Sequence, residues 1–178
     1  MAKKIVITGG PGTGKTTLIN HLNLIGYPCF EEVSRKVTRE AREEGIEYLF
    51  LEDPLRFSKQ IIEARTEQYI ASEALKEPYV FLDRGIPDVL AYMDFANQQF
   101  PEEFVQTCLN YRYDAVIVLK PWLEIFTNDD ERYESFEEAK KIHSHLLQTY
   151  SRFNYQIIQL PQDTVENRID FMLESLNL

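Results

Sequence analysis

Cysteine is scarce in this sequence: Cys29 and Cys108 are the only two among 178 residues. Their separation suits neither a disulfide framework nor the close pairs that ligate zinc, which points to a reducing compartment. Long apolar runs are missing too, and no stretch approaches the roughly 20 residues of a membrane-spanning helix. The opening Met1-Ala2-Lys3-Lys4 leads straight into a short apolar run and lacks the composition of a secretory signal. Positive charge is in deficit, since 19 Lys and Arg face 29 Asp and Glu for a net charge of −10. That balance disfavours broad electrostatic attachment to nucleic acid or to an anionic membrane. No repeat, low-complexity tract or linker interrupts the chain. A cytoplasmic globular domain is expected, with neither nucleic acid nor membrane as a partner. Hydrophobic content of 44% and charged content of 27% are ordinary for such a domain, and 178 residues suffice to bury one core.

Four short apolar runs, at 5–8, 79–83, 115–119 and 155–160, lack the alternation of a half-exposed strand. Separated by long helical segments, they read as parallel strands buried on both faces. A fifth and shorter run covers 27–30, after the helix-ending Gly26. The expected fold is α/β: a five-stranded parallel sheet with helices on both faces, three layers in one domain spanning 1–178. The helices are punctuated clearly. One over 32–44 stops at Gly45 in a left-handed cap. Asp53-Pro54 supplies a cap and a first-turn proline for a helix reaching about residue 76, before Pro78. Helices over 86–97 and 102–109 are split by Pro101. Ser135 with Glu138 forms a capping box for a helix to about residue 150, and Asp163 with Glu166 repeats the device before the last helix.

Directly after the first apolar run stands Gly9-Gly10-Pro11-Gly12-Thr13-Gly14-Lys15-Thr16. The spacing is that of the phosphate-binding P-loop, in its required setting between a strand and an amphipathic helix. Glycines let the backbone curl so that successive N–H groups point inward at a phosphate. The helix that follows adds its positive end. A nucleoside triphosphate, ATP, is therefore expected on Gly10, Pro11, Gly12, Thr13, Gly14, Lys15, Thr16 and Thr17. Lys15, an exposed lysine on this reading, reaches the β- and γ-phosphates, and the Thr16 hydroxyl holds Mg²⁺.

Three further groups belong to the same reading. Asp83 ends a buried strand, where a carboxylate binds the magnesium ion of a P-loop protein or caps the next turn. Glu32 and Arg35 lie three apart at the end of the second strand. They either share a helix face that binds a small polar acceptor or form an ordinary ion pair at a helix start. The polar, acidic segment 121–134 is either a lid over the phosphates or a plain solvated loop, and it carries Arg132.

Asp83-Arg84 is similar to the strand-end motif of thymidylate and deoxynucleoside kinases. The resemblance implies metal or acceptor chemistry for Asp83 and a phosphate or acceptor contact for Arg84, and leaves open whether Asp83 is metal ligand or base. Gly85 departs from the aromatic residue or serine usual there. The wider order resembles a family of small single-domain ATPases, named AAA-type, and the nicotinamide-riboside kinase domain of bacterial NAD regulators. The carrying stretches are the P-loop, Gly-Tyr-Pro-Cys-Phe-Glu-Glu-Val-Ser-Arg, Phe-Leu-Asp-Arg-Gly, and the Ile142-His143 helix leading to Tyr155 and Pro161. It implies a nucleoside/nucleotide-kinase-like fold using ATP with Mg²⁺.

On this reading the γ-phosphoryl of ATP passes to a small-molecule acceptor held between Glu32/Arg35 and Asp83/Arg84. Lys15, Asp83 and Arg132 are the catalytic candidates, Arg132 neutralising charge on the transferred group. The alternative is an ATPase that acts with a protein partner. The chain has no room for the helical lid domain of a hexameric machine, no glutamate after Asp83, and no Asn-Lys-any-Asp motif for guanine.

Overall fold

The computed structural model describes residues 2–126 and 134–178. Five strands form one parallel sheet: β1 (Lys3–Gly9), β2 (Cys29–Phe30), β3 (Tyr79–Asp83), β4 (Ala115–Leu119) and β5 (Ile157–Leu160). Their spatial order is β2-β3-β1-β4-β5. The chain leaves β1 toward β2 and β3 on one side, then crosses to β4 and β5 on the other. Strand order thus reverses beside β1, and in open α/β sheets the crevice at the carboxyl ends of such a switch is where ligands bind. The P-loop leaves β1 at that point.

Side chains alternate along β1 and so divide the core in two. Ile5 and Ile7 face α1 (Lys15–Leu24) and α8 (Val165–Leu176), in a cluster with Leu18, Leu22, Ile117 and Met172. Val6 faces the other layer, built from α2 (Ser34–Glu43), α4 (Pro54–Ser72), α5 (Ile86–Phe95), α6 (Glu102–Asn110) and α7 (Phe136–Arg152). A one-turn helix, α3 (Leu49–Glu52), precedes α4. The fold expected from the apolar runs is present, three layers around a parallel sheet. No helix among the described residues is long and apolar enough to cross a membrane.

Several helix ends differ from the expected ones. The second helix begins at Ser34 rather than 32, because the Glu32 side chain turns away to accept the Ser34 N–H (3.3 Å) and to meet two guanidinium groups. α4 stops at Ser72, where N–H groups 73 to 75 switch to carbonyls three residues back and tighten the last turn. The last helix is capped by Thr164, whose hydroxyl accepts the Asn167 N–H. Asp163 is instead engaged by the Thr164 N–H and the Asn167 amide. The other signals match. Asp53 caps α4 with Pro54 in its first turn, Gly45 adopts φ +88°, and Ser135 and Glu138 form the reciprocal capping box of α7.

That box satisfies N–H groups at the start of α7. Ser135→Ala removes the acceptor of the Glu138 N–H and is expected to cost about 1 kcal/mol. Denaturant unfolding checks it: the midpoint should fall, and an unchanged midpoint would deny the cap any stabilising part.

Candidate functional site

The loop between β1 and α1 has the shape that its glycines permit. Gly12 (φ +66°) and Gly14 (φ +83°) occupy the left-handed region, and Gly14 begins α1 without any side-chain cap. The first N–H groups of α1 are therefore available to an anion. The loop is also tightly walled. A Cβ at Gly12 would lie 2.5 Å from the Phe126 ring, and one at Gly10 3.1 Å from the Ala139 carbonyl of α7. Thr13 is buried, with its hydroxyl donating to the Gly10 carbonyl at 2.9 Å.

Lys15 departs from the exposed lysine expected. It is half-buried, and its Nζ donates to the Gly9 and Gly10 carbonyls at 2.9 and 3.2 Å. Burial, followed by the positive charge of Arg84, lowers its pKa to about 8, against the opposing pull of Asp83 and Glu32. The ammonium is held over the loop where a phosphate would take the place of those carbonyls.

Asp83 is 6% exposed, and its Oδ1 is buried with no hydrogen-bond partner among the described residues. Burial raises its pKa, with Lys15 opposing. An unpaired buried carboxylate oxygen beside a phosphate loop fits a cation, and no group among the described residues satisfies it. No cluster of three metal-ligating side chains exists among the described residues. Mg²⁺ is typically bound through one or two protein oxygens plus substrate phosphates. Thr16, on the exposed first turn of α1, offers the hydroxyl that would complete such a set.

Beyond β2 and β3 lies a second polar cluster. Glu32 is gripped by two guanidinium groups, with Arg65 Nη2 at 3.0 Å and Arg84 Nε in contact on its other oxygen. Burial would raise the Glu32 pKa, but the charges of Arg65 and Arg84 outweigh it and hold the carboxyl at about 2. Arg65 is itself buried, and its Nη1 donates to the Gly85 carbonyl at 2.8 Å. Arg84 takes φ +74°, a conformation that costs a non-glycine residue about 1–3 kcal/mol. It is held there by its N–H on the Ile7 carbonyl (3.0 Å), by Glu32, by Asp88 (3.4 Å), and by the Tyr92 ring beneath its guanidinium (5.1 Å).

Asp88 is fully buried and takes four donors: the Thr8 hydroxyl, the Tyr150 phenol at 2.5 Å, the Gly85 N–H at 3.0 Å, and Arg84. Burial and the Asp88 carboxylate push the Tyr150 pKa well above its ordinary value, so the phenol stays a donor. This packing explains the glycine at 85. A Cβ there would come within 2.6 Å of the Tyr150 hydroxyl.

The structure therefore brings Lys15, Asp83, Glu32 and Arg84 to one end of the sheet. Glu32 and Arg35 do not share a helix face, since Glu32 precedes α2 and its guanidinium partners are Arg65 and Arg84; Arg35 is exposed on the first turn. Arg132 and half of the proposed lid, residues 127–133, lie outside the described residues, although Phe126, at its root, rests on Gly12. Three buried residues escaped the sequence reading. Arg65 repeats at helical spacing with Ser58, Ile61 and Ile62 on the inner face of α4, so its place in that stripe was the available signal. Asp88 stands three residues after Gly85, a capping-box spacing. Tyr150 had no such mark.

A glycine-rich loop opening a helix, an unpaired carboxylate at the end of the neighbouring strand, and strand order 2-3-1-4-5 define a P-loop nucleotide-binding protein. A family described as an AAA domain matches residues 4–168. The chain belongs to that family. Among curated proteins it is similar to nucleoside-triphosphatase THEP1 of Thermotoga sp. (strain RQ2), 26% identical over 148 residues, covering 72% of this chain and 82% of the relative. Among solved structures it is similar to deoxyadenosine kinase from M. mycoides, at TM-score 0.67 and 16% identity over 98% of both chains. It is also similar to NadR protein in complex with NR, at TM-score 0.70 and 23% identity, covering 99% of this chain and 52% of that one. Those two likenesses show the fold: a small P-loop NTPase/kinase architecture.

The grip on Glu32 carries a pH signature. Its pKa falls from 4.5 to about 2 on folding, so its stabilisation is complete above the higher value and lost as pH drops through the lower. Glu32→Gln should cost on the order of 3 kcal/mol at neutral pH and leave a shallower acid limb. Urea unfolding between pH 2 and 7 reads both; parallel curves for the two proteins would contradict the ion-pair description.

Proposed function

We propose that the protein is a Mg-ATP-dependent phosphotransferase that moves the γ-phosphoryl group to a nucleoside-, nucleotide- or riboside-like acceptor. The observation that supports this most is the ordered cluster of Glu32, Arg65 and Arg84 facing the P-loop across Asp83. Such a rigid set of charged groups suits a polar organic acceptor. A hydrolase, which positions a single water, has less use for it.

In this reading Lys15 leaves the Gly9 and Gly10 carbonyls and bonds the β- and γ-phosphates, while the loop N–H groups hold the chain of phosphates. Asp83 and Thr16 would hold Mg²⁺, which neutralises charge on the β- and γ-oxygens when bound. Glu32, ionised throughout the physiological range, orients Arg84 and accepts a hydrogen bond from the acceptor. Asp83, with its raised pKa and open Oδ1, is the better placed of the two carboxylates to take a proton from an acceptor hydroxyl if it is not spent on metal. Arg35 meets the outer part of the acceptor, and Arg132 neutralises the transferred group. The structural neighbours, a deoxyadenosine kinase and a NadR protein in complex with NR, supply the acceptor classes to try first. The cytoplasm is the expected location.

A second reading has a specific observation behind it, the THEP1 relative, which is a nucleoside-triphosphatase. There water would stand where the acceptor stands, with a protein partner as the regulator.

Product analysis separates the two. Incubated with Mg-ATP and a panel of nucleosides, nucleotides and ribosides, the protein is expected to yield one new phosphorylated species. Phosphate release indifferent to every acceptor would favour hydrolysis. Lys15→Ala should lower turnover by about 100-fold or more while the far-UV spectrum is retained; full activity in that variant would refute the P-loop assignment.

A further inference from the structure

Arg168 sits on the fourth residue of α8, beneath the phosphate loop and opposite the acceptor cluster. It is 3% exposed and shares the inner face of its helix with Ile169 and Met172. Its Nη2 donates to the Thr13 carbonyl at 3.0 Å, and its Nη1 lies 2.9 Å from where a Cβ at Gly14 would stand. Its Nε is buried without a hydrogen-bond partner among the described residues. Among the described residues no carboxylate forms an ion pair with it. A buried, uncompensated guanidinium is costly, and burial lowers its pKa from the ordinary value. Simple packing does not call for a cation there.

The peptide plane supplies a reason. A trans peptide is planar, with its C=O and N–H pointing in opposite directions. The Thr13 carbonyl and the Gly14 N–H belong to one such plane. Holding the carbonyl against α8 therefore turns the Gly14 N–H the other way, away from α8. The glycine at 14 answers to φ +83°, which strains any side chain, and a Cβ there would also push the guanidinium aside from its contact. The anion that would offset the charge of Arg168 is the one the loop is built to receive.

We propose that Arg168 is a positioning residue for nucleotide: it sets the Thr13–Gly14 peptide so that its N–H serves the phosphates, and its buried charge is compensated when a polyphosphate binds. This rests on the P-loop binding ATP and is tested separately from it. Two readouts are needed, the melting temperature of the nucleotide-free protein and the Mg-ATP affinity by calorimetry well below that temperature.

Arg168→Met removes charge and donors at similar length. ATP should bind roughly tenfold to a hundredfold more weakly, by loss of a charged hydrogen bond. The nucleotide-free protein should melt at the same temperature or higher, because an unpaired buried cation has gone. Arg168→Lys keeps charge without the planar fork and should lose affinity by a smaller factor. It also serves if the Met variant does not fold. ATP affinity within about twofold of wild type in the variants that fold would overturn the proposal. So would a lowered melting temperature with affinity retained, which assigns Arg168 to packing. Failure of the wild-type protein to bind Mg-ATP would instead remove the nucleotide reading on which the inference stands.

Discussion

One buried carboxylate ties the two halves of the site together. Asp88 accepts a hydroxyl from Thr8 on the strand that launches the phosphate loop, a phenol from Tyr150 on α7, the Gly85 N–H, and the guanidinium of Arg84. A fully buried carboxylate is tolerated only when its lone pairs are filled, and here four donors from three places in the chain fill them. The arrangement fixes where β1, the β3–α5 turn and α7 stand relative to one another. It also helps hold Arg84 in a backbone conformation that arginine otherwise avoids. Strain of that kind persists where the surroundings over-determine it, and it gathers at functional sites.

From this node the charges alternate outward: Asp88, Arg84, Glu32, Arg65. Each is desolvated and each is compensated by its neighbours, so the row is rigid rather than adaptable. Across the gap stand Lys15 and Asp83, which are not fully satisfied within the protein. Lys15 borrows two loop carbonyls, and Asp83 keeps one buried oxygen empty. The ion-paired groups form the fixed wall, although Arg65 keeps a buried Nε without a partner among the described residues, and Lys15 and Asp83 are the groups a nucleotide and its cation would complete. Arg168 belongs with the second kind.

Much of the architecture was legible in the residues alone. Buried strands announce themselves as unbroken apolar runs, and the P-loop has both a strict spacing and a strict setting. Helix ends were read less well because they depend on competition among neighbouring side chains. Thr164 displaced Asp163 as a cap once Asp163 was engaged by Asn167. The ion cluster was half legible. Glu32 and Arg84 stand at strand ends, where chemistry is expected, but their partners come from the middle of helices. Spacing along one segment finds neighbours on that segment; it does not reveal that Arg65 on α4 reaches Glu32, or that Tyr150 on α7 crosses to Asp88. Gly85 carried a clue of the same sort, since the missing side chain leaves room for a tyrosine 65 positions away.

The central claim is that the loop presents the terminal phosphoryl group of ATP to an organic acceptor rather than to water. Turnover in water enriched with oxygen-18, with the phosphoryl product examined by mass spectrometry, tests it directly. In the presence of the acceptor, the account predicts a phosphorylated product free of solvent oxygen. Solvent oxygen entering the released phosphate at the same rate with every acceptor, and no phosphorylated organic product, would contradict it.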